Sequence, residues 1–432
     1  MDWKTIYDQK LTTADEAVKL IKNGNRVVTG LGAGPSPVLI EAMTKNHKSY
    51  KDVELVNILP LVKTEYLDPA ISPHIRHNSL FVSAKSRQGV SEGWADYTPS
   101  FLYRIPNMWE RDLPVDVAII QVSRPDKHGF CSFGISVEYL KEATEKAKVV
   151  LAHVNKHMPR TLGDAFIHVS KMTCIVEADI PLLAPPPPAP SEAEMAIGKH
   201  CAGLIKDGDC LQLGFGTIPD AVLAFLKDRK DLGIHTEMFS DGVVDLVNAG
   251  VITNARKNFH PGKIIATFLL GTQKLYDFVD DNPMVVMYPT TYTNDPYIAG
   301  QNDNLVTINS CIQADLLGQV SSETIGMTQF SGVGGQVDFV RASAISKGGR
   351  AILTMPSTTK NDTISKIVPF LDEGAVVTTS RCDVHIIVTE FGAADLRGKT
   401  AKDRARALIK IAHPKFHDML KAAFKARFNS DF

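Results

Sequence analysis

The sequence predicts an α/β fold built from two similar tandem domains with mainly parallel sheets. Three observations lead there: an internal repeat, a series of near-continuous apolar runs, and a proline block between the two copies. The repeat pairs IKNGNRVVTGLGAGPSPVL, starting at Ile21, with IKDGDCLQLGFGTIPDAVL, starting at Ile205, without a gap and at an offset of 184 residues. Gly24 and Gly208, Gly30 and Gly214, Gly32 and Gly216, and Pro35 and Pro219 coincide. A second echo joins DVAIIQV (116–122) to DVHIIVT (383–389), which share an Asp-Val start and an Ile-Ile centre.

Each copy opens on a helical pattern such as ADEAVKLIKNG, continues into a short apolar strand, turns at GxGxxP and enters another helix. The later runs VELVNIL, DVAIIQV, VVLAHV, AILTM, AVVTT and DVHIIVTE are apolar on both faces. Such runs, spaced by helical patterns, are the signature of strands covered on both sides in a parallel sheet. Between the copies lies ADIPLLAPPPPAPSEAE, with prolines at 185–188. Proline has no N–H to give a ladder and cannot join a helix interior, so this stretch reads as a stiff extended linker. The expected boundaries are a first domain at 1–182, a linker at 183–191 and a second domain at 192–432.

Bulk properties exclude several classes. The 432 residues are 44% hydrophobic and 22% charged with a net charge of −1, so a large core is available and no basic field exists to attract nucleic acid or an anionic membrane. No apolar run approaches the roughly 20 residues of a membrane span. The start, MDWKTIYDQK, carries neither a signal-peptide core nor an Arg-rich transit pattern. Six scattered cysteines without a CxxC pair suit reduced thiols in the cytoplasm. The histidine pairs HIRH (His74, His77) and HVNKH (His153, His157) lack an accompanying carboxylate cluster, so no metal is expected; no GxSxG elbow occurs.

The glycine loops limit the ligand chemistry. GLGAGP and GFGTIP follow strands and open helices, as a dinucleotide fingerprint does, but the third glycine position holds Pro35 or Pro219. What survives is a backbone that can approach a ligand closely at a helix N-terminus, a pocket for phosphate, carboxylate or an oxyanion across 214–218. A turn needed only for packing fits the same residues. A third cluster, FSGVGGQVDF (330–339), precedes Arg341, Lys347, Arg350 and Lys360. Composition favours a glycine-rich hairpin with solvated cations over a phosphate site. One further stretch, GIHTEMFSDGVVDL (233–246), sets Glu237 where a strand is about to end in a turn. Alone it reads as a solvated loop residue.

Together these stretches resemble the acetyl-CoA hydrolase/transferase branch of the class I CoA-transferases, and most closely its members acting on 4-hydroxybutyrate. The resemblance runs over essentially the whole chain and is carried by AIGKHCAGLIKDG, LQLGFGTIPDAVL, GIHTEMFSDGVVDL, INSCIQADLLGQV, QFSGVGGQVDF, SKIVPF and VTEFGAADLRGKT. It implies two CoA-transferase domains with the active site at the interdomain cleft, and Glu237 as a nucleophile that forms a glutamyl-CoA thioester. It implies CoA contacts at Gly214, Phe215, Gly216, Thr217 and Ile218, at Ile312, at Gly335 and at Lys360, and an acyl or acid site at Asn294 with Gln336. The segment after Met355, PSTTKNDT, is shorter and less basic than the family pattern. No permanently bound cofactor follows: coenzyme A is substrate and covalent intermediate, and acyl-CoA and short-chain carboxylic acids are the partners. A homo-oligomer, dimer or higher, is expected. The backbone N–H groups of GFGTI are expected to hold the oxyanion. The first copy, through Asn57, Leu59 and Leu61, is expected to shape the acid pocket. Butyrate, 4-hydroxybutyrate, propionate and acetate stay open as acyl groups, as does hydrolysis on the same site; a non-catalytic nucleotide-binding protein is the second alternative.

Overall fold

In the computed structural model, which describes residues 2–186, 188–214, 216–359 and 361–432, the apolar runs form two separate, mainly parallel sheets. Each belongs to its own compact unit. The first unit comprises Met1–Pro186, Ile265–Thr293 and Phe330–Gly334; the second comprises Pro187–Ile264, Asn294–Gln329 and Gly335–Phe432.

The first sheet holds β1 (Arg26–Thr29), β2 (Val53–Ile58), β3 (Ile75–Phe81), β4 (Asp96–Tyr97), β5 (Val117–Val122), β6 (Val149–Val154) and β7 (Cys174–Glu177). Their order is β7-β6-β5-β1-β2-β3-β4, with every pair parallel. β5 is buried along its whole length, which is why DVAIIQV does not alternate.

The second sheet holds β8 (Cys210–Leu213), β9 (Gly233–Ile234), β10 (Leu305–Ser310), β11 (Arg350–Thr354), β12 (Ile386–Thr389) and β13 (Gly392–Asp395). The order is β9-β8-β10-β11-β12-β13, parallel except for the β12–β13 pair at the edge. β1 and β8 are related by the 184-residue offset at both ends. The second echo is different. β5 neighbours β1, whereas β12 lies three places from β8, so DVAIIQV and DVHIIVT are not equivalent strands. Both are apolar because both are covered on two faces.

Two further expectations change. AVVTT (375–379) forms no strand: Val376 and Val377 are exposed, and single contacts such as Thr378 N–H to the Val320 carbonyl (2.9 Å) tie it down. FSGVGGQVDF is no hairpin; Gly335 caps the helix Gln336–Ile345. Of its neighbouring cations, Arg350 is spent on buried Asp209 (2.6 Å) and the Leu204 carbonyl, and Arg341 pairs with Asp383 (3.3 Å).

The two glycine loops have parted. In the first copy the Leu31 N–H donates to the buried carboxyl of Glu138 (2.9 Å), and the Ser136 hydroxyl lies 2.8 and 2.9 Å from the two Glu138 oxygens. Burial pushes Glu138 up to about 8. A Cβ on Gly30 would stand 2.6 Å from Ser136 Oγ, and one on Gly34 would stand 2.2 Å from Ser136 Cβ. GLGAGP is therefore tied at Leu31 to an internal carboxyl and packed at Gly30 and Gly34 against Ser136. Beyond β1 and β2, Ala33, Pro35, Leu61, Lys63, Gln121 and Leu183 line a cavity of about 430 Å³. Asn57 is committed elsewhere: its amide donates to Tyr66 (3.0 Å) and accepts from His77 (2.9 Å), fully buried.

Candidate active site

Parallel sheets collect ligands beyond the carboxyl ends of their strands, at the point where the strand order reverses. In the second unit that point lies between β8 and β10, and three candidate segments leave the sheet beside it. Gly214 follows β8, Glu237 follows β9 and Ile312 follows β10.

Glu237 reaches the lip of the sheet because β9 is short and firmly held. The Ile234 N–H donates to Asn254 (2.9 Å), the Ile234 carbonyl accepts from Lys257 (2.8 Å), and the His235 N–H donates to the Leu211 carbonyl (3.1 Å). Thr236 then ties the exit down: its hydroxyl accepts from the Leu213 N–H (3.1 Å) and donates to the Met238 carbonyl (2.8 Å). Met238 and Phe239 turn into the core. The Glu237 side chain is left half-buried between these anchors.

Two groups clasp its carboxyl. The Asn294 amide donates to Oε2 (3.0 Å), and the Gly335 backbone N–H donates as well. Asn294 is fully buried between the short helices Thr290–Thr293 and Pro296–Ala299 in the chain, and its Oδ1 finds no partner among the described residues. Gly335 stands at the N-terminus of Gln336–Ile345, whose dipole favours negative charge there. A Cβ on Gly335 would lie 1.9 Å from Glu237 Oε2 and 2.4 Å from Asn294 Nδ2. Burial pushes Glu237 up to about 7, against the opposing pull of the Asn294 and Gly335 hydrogen bonds. A carboxyl so desolvated is a stronger nucleophile when ionised.

The second glycine loop is described at Gly214 and from Gly216 onward. Gly214 donates its N–H to the Ile308 carbonyl (2.9 Å). Gly216 has φ +127° and ψ −175°, a conformation for glycine, yet a Cβ there would meet nothing within 4 Å. Backbone geometry and not packing demands that glycine. The helix Thr217–Ala224 begins there with Ile218 buried beneath it. Ile312 is half-buried and donates its N–H to the Ser321 carbonyl (2.9 Å). The Gln336 amide is turned to the Thr379 hydroxyl (2.9 Å). Phe215 and Lys360 lie outside the described residues. The structure thus joins Glu237, Asn294 and Gly335 directly, and leaves Ile312 and Gln336 without a hydrogen bond to that trio. At the carboxyl itself the donors are Asn294 and Gly335. Thr236 escaped the sequence reading, although its place between an apolar strand and Glu237 is a signal for an anchoring hydroxyl.

Among the described residues no group of three or more His, Cys, Asp or Glu could hold a metal ion, and no helix is long and apolar enough to cross a membrane. His77 accompanies Asn57, His74 faces the Tyr50 carbonyl and His153 the Ala178 carbonyl.

Comparison with known proteins adds to this geometry. The acetyl-CoA hydrolase/transferase N-terminal domain matches residues 1–184, and the C-terminal domain of the same family matches residues 271–424. The chain is 56% identical over 429 residues to the 4-hydroxybutyrate coenzyme A transferase of Clostridium kluyveri, spanning 99% of this chain and 100% of that one. It is 39% identical to the butyryl-CoA:acetate CoA-transferase of Anaerostipes caccae, over 99% and 98% of the two chains. The crystal structure of 4-hydroxybutyrate CoA-transferase from Porphyromonas gingivalis is similar at a TM-score of 0.86, with 40% identity over 99% of this chain and 100% of that chain.

Proposed function

The chain belongs to the acetyl-CoA hydrolase/transferase family and is an acyl-CoA:carboxylate CoA-transferase; from that premise we propose that Glu237 carries CoA as a thioester between a short-chain acyl-CoA and a free carboxylate. The acyl donors in this reading are 4-hydroxybutyryl-CoA or butyryl-CoA, and acetate is the acceptor. The observation that carries it is the carboxyl of Glu237 held by Asn294 and Gly335.

The chemistry follows from the groups present. The Glu237 carboxylate attacks the thioester carbonyl; the C–S bond breaks and CoA leaves as a thiolate, giving a mixed acyl-glutamyl anhydride. The thiolate attacks the glutamyl carbonyl, and the acyl group departs as a free carboxylate. Glu237 now holds CoA through a thioester. Acetate attacks that carbonyl, releases the thiolate and forms a second anhydride, from which the thiolate takes the acetyl group. Every nucleophile and every leaving group is an anion, so no proton has to move. Two of the four additions put an oxyanion on the glutamyl carbon and two put it on the acyl carbon, and losing one donor to such an oxyanion typically costs about 2.7–4 kcal/mol. The Gly335 N–H and the Asn294 amide already address the Glu237 carboxyl, so they serve when its carbon becomes tetrahedral. The GFGTI backbone is left for the acyl carbonyl and for CoA. The reading includes a homo-oligomer in the cytoplasm; five of the six cysteines are buried free thiols, which suits a reducing compartment.

Two measurements test this. Purified protein given butyryl-CoA should make acetyl-CoA at a rate that depends on added acetate. Thioester loss that proceeds equally without acetate would assign the site to hydrolysis instead. The second is the pH profile. Glu237 reacts ionised, so kcat/KM for acyl-CoA should fall about tenfold per unit below its titration near pH 7. Replacing Asn294 by Ala removes a bond that favours the carboxylate, so the midpoint should move up. Stability runs the opposite way. A carboxyl raised on folding stabilises the fold at low pH, and that contribution is lost as pH rises through about 7. A kcat/KM flat from about pH 8 down to about pH 5.5 would contradict the assignment.

A further inference from the structure

We propose that Glu194 is a positioning residue for the CoA loop, acting through Thr217. The inference rests on reading Gly214–Ile218 as a CoA site. Glu194 lies in the first turn of the helix Glu192–Gly203, where the chain leaves the proline-rich segment. One of its carboxylate oxygens accepts from the Ser191 N–H (2.7 Å) and the Ser191 hydroxyl (2.8 Å) in a capping box. A capping box needs no more than that. The other oxygen accepts the hydroxyl of Thr217, 23 residues on, at the first position of the helix that Gly216 opens.

Two features make this contact more than a surface bond. The two helices are pressed together: a Cβ on Gly198 would lie 2.8 Å from the Ala221 backbone, so the chain from Glu194 to Thr217 has little slack. The charge is also retained. Burial works to raise the Glu194 carboxyl, but the bonds from Thr217 and Ser191, with Lys366 nearby, hold it below its ordinary range. Lys366 itself is lowered by burial, against the opposing pull of Cys311, Glu390 and Glu194. An ionised acceptor on Thr217 fixes the rotamer of that side chain and, with it, the direction of the N–H groups at the start of the helix. Gly216, with no side chain and an unusual φ, cannot fix them by itself. Nothing in the first copy corresponds, since Ala33 stands where the second copy has Thr217.

The test is equilibrium binding of free CoA by calorimetry, with kcat and KM for butyryl-CoA measured beside it. Glu194→Ala should weaken CoA binding and raise KM for butyryl-CoA by about tenfold, the worth of one hydrogen bond to a charged group, while kcat falls much less. Glu194→Gln keeps an acceptor and should recover part of the loss. Thr217→Val, which leaves the capping box whole, should reproduce Glu194→Ala, and the double variant should be no worse than either single one. Ser191→Ala breaks the box without touching Thr217 and should bind CoA like the parent. Unchanged CoA affinity in Glu194→Ala, additive effects in the double variant, or an equal loss in Ser191→Ala would overturn the proposal. CoA binding needs no chemistry at Glu237, so failure of the glutamyl thioester would not imitate any of these results. A parent protein that binds no CoA would overturn both readings.

Discussion

Gly335→Ala should cost about 100-fold or more in kcat/KM while leaving the fold intact, because it displaces the reacting carboxyl and little else. The backbone at Gly335 has φ −91° and ψ 4°, which alanine adopts without strain. The obstacle is steric and local. The new methyl would overlap Glu237 Oε2 at 1.9 Å and Asn294 Nδ2 at 2.4 Å, and of the two side chains it is the half-buried Glu237 that has room to move, since Asn294 is fully buried. Glu237, only half-buried, can swing away and relieve the worst overlap, and the replacement of a glycine by alanine at the N-cap of Gln336–Ile345 should lower stability by about 0.5–2 kcal/mol. The swing also breaks the clasp, and a misplacement of about 1 Å at a reacting group can itself cost about 100-fold. Thermal unfolding and steady-state kinetics on the same preparation separate the two effects. A folded Gly335→Ala enzyme with more than about a tenth of normal turnover would show that the Glu237 position seen here is not the reactive one.

Much of the scaffold could be read from the chain because it rests on local pattern. The offset of 184 residues maps β1 onto β8 end to end, and VELVNIL, VVLAHV and AILTM lie where apolar runs on both faces must lie, inside parallel sheets. AVVTT carries the same composition but leaves its two valines exposed, since composition does not say whether a neighbouring strand is available. Nor does it say which core a segment joins: 265–293 and 330–334 group with the first unit although they follow the second copy's start.

The site was legible in part for the same reason. Glu237 and the Gly214–Ile218 loop are local motifs. What the loops do is decided at long range. GLGAGP and GFGTIP look alike in sequence, yet the Leu31 N–H of the first is taken by Glu138, 107 residues on, and no rule of spacing points there. Asn294 meets Glu237 across 57 residues, and Thr217 meets Glu194 by the packing of two helices at Gly198. Such contacts depend on register and helix docking, which periodicity leaves open.

The account stands on a covalent bond at one residue. Incubation with butyryl-CoA and no acceptor acid should convert Glu237 into its CoA thioester, since the first half-reaction needs nothing else. Borohydride reduces a thioester but spares a carboxylate, so treatment in that state should abolish activity and lower the mass of the peptide bearing Glu237 by the conversion of its carboxyl to an alcohol. Protein treated with borohydride without acyl-CoA should keep full activity, and a Glu237→Gln protein should acquire no such mark. Peptide mass spectrometry reads the result directly. Modification confined to Glu237 and dependent on acyl-CoA is the predicted outcome; modification at another residue, or full activity after borohydride in the presence of acyl-CoA, would contradict it.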